Sequence, residues 1–155
     1  MVIVLLPKDD GGHRPIGLFP GVIRIWMRAR SDKARDWETE TAGPEYFGCK
    51  GRGAQRAAWM AAFEAELAAA LIDLVKAFEM IPHAHLVQAA RQHGFSLKVL
   101  RLSLAAYRLT RVIGVDGVFS EQMQATRGIT AGSGMATSEL RLLLTEMVFL
   151  LKRTF

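Results

Sequence analysis

Short apolar runs broken by glycine and aspartate open this chain, and longer runs with helical spacing close it. Val2 to Leu6 is β-type, Asp9-Asp10-Gly11-Gly12 is a turn signal, and Ile16 to Phe19 resumes the run, which predicts a hairpin. Pro20 can open a helix whose apolar face is Val22, Ile25, Trp26 and Ala29, with Arg24, Arg28, Arg30, Lys33 and Arg35 on the other faces. That pattern fades in the charged segment Asp32 to Glu40, and Thr41 to Gly53 reads as a loop that sets Lys50 and Arg52 among glycines. Gln55 to Ala68 predicts an alanine-rich helix with Trp59 and Phe63, four apart, as a core packing pair.

Ala70, Leu71, Ile72, Leu74 and Val75 then read as a buried strand interrupted by Asp73. A buried ionised carboxylate needs a cation, a metal or a set of N–H donors beside it, and the turn over Lys76 to Phe78 could supply such donors. After Pro82, His83 to His93 predicts a helix stopped by Gly94, and Ser96 caps another that runs to Tyr107 with Leu97, Leu100 and Leu104 inward. Val112 to Val115, the Asp116-Gly117 turn and Val118-Phe119 form a second hairpin signal, and Gln122 to Arg127 alternates as an added strand would. The glycine-rich loop Gly128 to Gly134 leads into a last helix whose apolar face is Leu140, Leu143, Leu144, Met147, Val148 and Leu151.

Composition narrows the picture. At 155 residues, half of them hydrophobic, the chain can build a real core, and it has neither a repeat nor a disordered composition. Twenty Lys and Arg against 15 Asp and Glu give a net charge of +5, which suits a polyanionic partner and leaves an acidic protein partner open. Cys49 is the single cysteine, so an internal disulfide and a multi-cysteine zinc site are both excluded. The opening run is too short for a signal-peptide core and charges interrupt the later apolar stretches, so an intracellular location, nuclear or cytoplasmic, is expected with no transmembrane segment.

Candidate chemistry lies at four places. Lys8 and Arg14 flank the first turn, where two cations on a rigid ribbon could clamp a phosphate or simply be solvated. His83 and His85 are spaced HxH with no further ligand cluster nearby, so no metal role is assigned to them. Lys98, Arg101, Arg108 and Arg111 follow one another with no acid among them, the most one-sided charge patch in the chain. The loop Gly128 to Gly134 could cradle an anionic or planar ligand through backbone N–H groups, although it has neither GxxxxGK[ST] nor GxGxxG spacing.

In order along the chain, LPKDDGGHRPIGLFPGVIRIWMR, FGCKGRGAQRAAW, LIDLVKAFEMIPH and GVFSEQMQATRGITAGSG resemble successive blocks of the reverse transcriptase domain of non-LTR retrotransposons. The first two resemble fingers segments, the third the first palm motif, and the fourth the approach to the second palm motif. The resemblance implies an α+β, helix-rich fold, a partial right-hand polymerase with a fingers-like segment over 1–68 and a partial palm-like segment over 69–155. It implies RNA-directed DNA polymerase chemistry, nucleotidyl transfer from a dNTP to a primer 3′-OH on an RNA template, with two Mg²⁺ ions about 3.5 to 4 Å apart. In that scheme Asp73 is the catalytic carboxylate and, with the Leu74 carbonyl, a metal ligand. Lys8 and Arg14 hold the triphosphate, Phe78 stacks under the sugar and rejects a 2′-hydroxyl, and Ala131 and Gly132 let the backbone approach the nucleotide.

The chain departs from the family pattern in ways that bear on activity. Glu79 stands where the family has a second aspartate, and Thr130-Ala131-Gly132 replaces proline-glutamine-glycine. The aromatic-x-Asp-Asp hairpin does not occur, since the sole Asp-Asp pair is Asp9-Asp10, and no thumb is expected after Phe155. Asp73 alone leaves two cations short of protein charge, so these residues by themselves are expected not to polymerise. A non-catalytic nucleic-acid-binding remnant is the alternative, and a basic interaction protein unrelated to polymerases is a third; pairing of the Asp73 strand with Arg111 to Val115 would speak against that third reading.

Overall fold

The computed structural model describes residues 1–47, 52–63 and 76–154. It is an α+β fold in which a mixed sheet packs beside helices. The first hairpin forms as its pattern predicts, β1 (Val2–Pro7) against β2 (His13–Leu18), with Val2 opposite Leu18 and Pro7 opposite His13. Gly11 takes φ +78° in the turn, a conformation glycine adopts without steric cost. β3 (Val112–Val115) adds to β1 in parallel, and β4 (Val118–Phe119) turns back on β3, so the strand order is β2-β1-β3-β4. The β3–β4 turn carries Asp116 at φ 48° and Gly117 at φ 82°, the two left-handed residues of a type I′ turn.

Alternation along the strands decides what each face of this sheet meets. Ile3, Gly17 and Pro15 share one face with Ile113, because Ile3 is opposite both Gly17 and Ile113, and that face is turned to the glycine loop. Arg14, Leu6 and Leu18 belong to the other face, where Leu6 and Leu18 are exposed. Both edges of β3 are occupied: β1 takes one, and β4, Ser120 and Met123 take the other through Ser120 N–H to the Ile113 carbonyl and Met123 N–H to the Arg111 carbonyl. The strand expected over 70–75 lies outside the described residues, as do Cys49, Lys50 and the 64–68 end of the second helix.

The helices are α1 (Gly21–Glu40), α2 (Ala54–Phe63), α3 (His83–Gln92), α4 (Leu97–Tyr107) and α5 (Ala136–Thr154). α3 ends as its sequence predicts: Gly94 is left-handed at φ 69°, and the amides of His93 and Phe95 return to the Ala89 and Ala90 carbonyls. Ser96 Oγ caps α4 by accepting from Val99 N–H at 3.5 Å. The core gathers Phe19, Met27, Trp37, Leu86, Phe95, Leu100, Tyr107, Met135 and Leu142 between α1, α3, α4 and α5.

Several helix faces differ from expectation. α1 does not fade at Asp32 but runs on to Glu40, because Ala34 and Trp37 are buried and Trp37 Nε1 donates to the His93 carbonyl at 2.7 Å. The exposed charges Lys33 and Asp36, and Arg35 and Asp32, pair along the helix, while half-buried Glu38 faces α5. Trp26 does pack on the core, whereas Val22 and Ile25 are exposed. Trp59 is 67 % exposed and so is not a core residue. Leu97 is also exposed, while Leu100 and Leu104 are buried as predicted. Gln122 to Arg127 makes only two isolated bridges, Met123 to Arg111 and Arg127 to Pro82, rather than a strand.

α5 is the largest correction. Its most deeply buried positions are Ser138, Glu139, Leu142 and Thr145, while Met147 and Leu151 of the expected stripe are exposed. Each buried polar side chain has a partner on another element: Ser138 Oγ donates to Glu38 Oε1 at 2.5 Å, Tyr46 O–H donates to Thr145 Oγ1 at 3.3 Å, and Tyr107 O–H meets Glu139 Oε2 at 2.6 Å. Hydrogen bonding offsets part of the desolvation cost that makes polar residues read as outward-facing.

Candidate functional site

The loop over 128–134 is the hub where distant segments meet. Its first residues are tied to the turn over 76–80: Ile129 N–H donates to the Phe78 carbonyl at 2.8 Å and Gly128 N–H to the Ile81 carbonyl at 2.7 Å. On the other side Gly17 N–H, on the outer edge of β2, donates to the Ala131 carbonyl at 2.7 Å. Two glycines make this closeness possible. A Cβ on Gly132, at φ 97°, would stand 2.6 Å from the Gly17 carbonyl oxygen, and one on Gly128, at φ 90°, would stand 2.8 Å from the Glu79 carbonyl oxygen.

Between this loop and the inner sheet face lies a cleft of about 250 Å³. Ile3, Gly17 and Ile113 form its floor, Ala131 and Ile129 one wall, and Met123 and Gln124 another. Arg111, Arg127 and Glu79 bring charge to it. Arg111 donates to the Tyr107 carbonyl, its Nε is buried without a partner among the described residues, and burial holds its guanidinium below the usual arginine range. Arg127 is exposed at the rim. The cleft therefore offers an apolar floor, two cations and one carboxylate, a setting for a partly apolar anion.

Behind the loop sits a buried polar cluster. Tyr107 O–H lies 2.8 Å from Ser133 Oγ and 2.6 Å from Glu139 Oε2, and Met135 N–H donates to Ser133 Oγ at 3.1 Å. Burial pushes the Glu139 carboxyl up to about 7, against the opposing pull of Tyr107 and Ser103. Burial and the neighbouring carboxylate raise the Tyr107 phenol well above its ordinary value, so it stays protonated. A single hydroxyl proton must serve two neighbours: with Glu139 ionised, Tyr107 donates to it and accepts from Ser133, and with Glu139 protonated the chain of donors can reverse. His83 closes the cluster on the α3 side, its Nε2 2.9 Å from the Gly128 carbonyl oxygen and its Nδ1 3.4 Å from Arg108 Nε. Both ring nitrogens of His83 are thus engaged, and the buried ring holds the loop.

The sequence-derived residues divide into separate groups. Lys8 and Arg14 share the open hairpin tip with Asp9 and Asp10. Ala131 lines the inner cleft, Gly132 closes on β2, and Phe78 is half-buried against the core with its carbonyl bound to the loop. Strand alternation sets Arg14 on the face opposite Gly17, so Arg14 is not brought to Ala131 and Gly132. Asp73 and Leu74 lie outside the described residues. Among the described residues no three His, Cys, Asp or Glu side chains gather as a group that could hold a metal, and no helix is long and apolar enough to cross a membrane. Sequence reasoning missed Arg127 as a cleft residue; its place directly before Gly128 was the available signal. Compared with protein families and with curated proteins, the chain matches no family model and no curated sequence.

Proposed function

We propose that this chain is a reverse transcriptase-like domain, RNA-directed DNA polymerase by resemblance, that binds a deoxynucleotide at the inner cleft and does not polymerise by itself. One observation supports the reading: the β2 hairpin, the end of LIDLVKAFEMIPH and the loop of ATRGITAGSG, far apart in sequence, are bonded around one cleft. These are the blocks that carry the resemblance. In this reading Arg111 and Arg127 attract the phosphates, Ile3 and Ile113 bear on the apolar part of the ligand, and the Gly132 backbone lets it come close. Mg²⁺ would supply further charge against the phosphates, and Asp73 with the Leu74 carbonyl are the ligands the resemblance offers it.

Titration of the chain with a fluorescent deoxynucleoside triphosphate, with and without Mg²⁺, tests this. Saturable binding that Arg127→Ala weakens by about tenfold is expected, as for loss of one charge-assisted contact, together with no primer extension on an RNA template. Absence of nucleotide binding, or binding indifferent to Arg127, would refute it. The alternative, a non-catalytic remnant that holds RNA or DNA backbone, draws on α1, where Arg24 and Arg28 stand one turn apart beside exposed Ile25 and neither is paired with an acid among the described residues. It predicts nucleic-acid affinity that falls steeply with salt and no response to the nucleotide.

A further inference from the structure

α3 and α4 leave between them an outward-facing groove of about 500 Å³. Val87 and Arg91 contribute from α3, and Leu97, Leu100, Arg101, Leu104, Ala105 and Arg108 form one helical stripe along α4. The stripe spans about 16 Å at the α-helical rise, the length of about three turns of a partner helix. Its floor is aliphatic, with Leu97 46 % exposed at one end and Leu100 and Leu104 buried beneath, and among the described residues its rim carries three arginines and no acid. Among the described residues neither Arg91 nor Arg101 forms an ion pair, and Arg108 Nε donates to His83 Nδ1 at 3.4 Å.

We propose that this groove docks an acidic amphipathic helix of a partner protein, with leucine-like side chains in the floor and Asp or Glu against Arg91, Arg101 and Arg108. Charge complementarity names the partner's sign, and the aliphatic floor names its form. A nucleic-acid strand would lay charged sugar-phosphate over exposed Leu97 and half-buried Val87, and among the described residues no aromatic side chain lines the groove to stack a base. A helix seated by anchors at i, i+3, i+4 and i+7 buries that floor, while guanidinium groups on the rim pair with carboxylates in the bidentate manner that suits arginine. The groove lies on the surface of α3 and α4 and shares no residue with the nucleotide cleft, so this docking is independent of the nucleotide reading.

The test uses the whole chain and a fluorescein-labelled peptide of about 14 residues, long enough to cover the stripe, with leucines at helical spacing and glutamates between them. Its probes for comparison are a scrambled isomer of the same composition and an oligouridylate of about ten nucleotides. Fluorescence anisotropy is expected to show the patterned peptide binding about tenfold tighter than the scramble, with Arg101→Glu and Leu97→Glu each weakening it about tenfold. Both residues are exposed, and an unchanged melting temperature confirms that the variants fold. No binding, equal binding of the two peptides, or displacement of the peptide by the oligouridylate at lower concentration overturns the proposal.

Discussion

The glycine loop and the first hairpin tip both combine positive-φ glycines with nearby charge, yet they are opposite kinds of region. Around the loop, Gly132 is pressed on the Gly17 carbonyl, and Ser133, Tyr107 and Glu139 form a buried chain of hydrogen bonds. At the tip, Lys8, Asp9, Asp10 and Arg14 are exposed, and a Cβ on Gly11 would meet nothing within 4 Å. Similar turn chemistry therefore yields a rigid hub in one place and a free end in the other. What differs is how many long-range partners each backbone has acquired, not its local propensity.

The sharpest way to break this contrast is a pair of alanine substitutions. Gly132→Ala should destabilise the fold by about 3 kcal/mol or more, since strained φ and a backbone clash coincide, whereas Gly11→Ala should cost about 1 kcal/mol from φ alone. Urea denaturation midpoints at constant m read both, and equal losses would show that the loop is no hub.

Next in size is the pH dependence of the buried carboxyl. Glu139 in the folded chain titrates near 7, above its ordinary value of 4.5, so the folded state binds the extra proton between those values. Its contribution is therefore most favourable below pH 4.5, declines as pH rises toward 7 and is flat above, a loss of about 3 kcal/mol across the window. Glu139→Gln keeps an acceptor for Tyr107 without the charge and should be more stable than the parent above pH 7. Comparing urea melts of the two proteins at pH 5 and 8 checks this; an unchanged pH slope in the variant would remove Glu139 as its source.

Tyr107→Phe takes the hydroxyl from between Ser133 and Glu139 and should cost about 2 kcal/mol, the penalty for stranding buried polar groups. A loss below about 0.5 kcal/mol would mean that solvent reaches the cluster. At the small end, Lys8→Ala and Arg14→Ala should each leave stability within about 0.5 kcal/mol of the parent, because both side chains are exposed and form no ion pair among the described residues. A larger loss at either position would give the tip a structural role it lacks here.

Signals that act over a few residues were readable in advance. Asp9 to Gly12 and Asp116-Gly117 mark their turns, Gly94 stops α3 and Ser96 caps α4, each through conformational or capping chemistry that needs no distant partner. The candidate site was legible in pieces: the loop of Ala131 and Gly132 is a meeting point, but Arg14 falls on the wrong face of β2 to join it, and Arg127 enters from a segment expected to be a strand.

Helix orientation escaped the pattern for a common reason. Trp37 extends α1 through charged sequence because the His93 carbonyl awaits its indole N–H, and α5 turns Glu139, Ser138 and Thr145 inward because Tyr107, Glu38 and Tyr46 meet them there. An apolar stripe measures the cost of burying side chains without partners; whether a partner exists is known only once distant segments have packed. Local order belonged to the amino-acid string, while the inward faces and the company each site residue keeps were settled by tertiary contact.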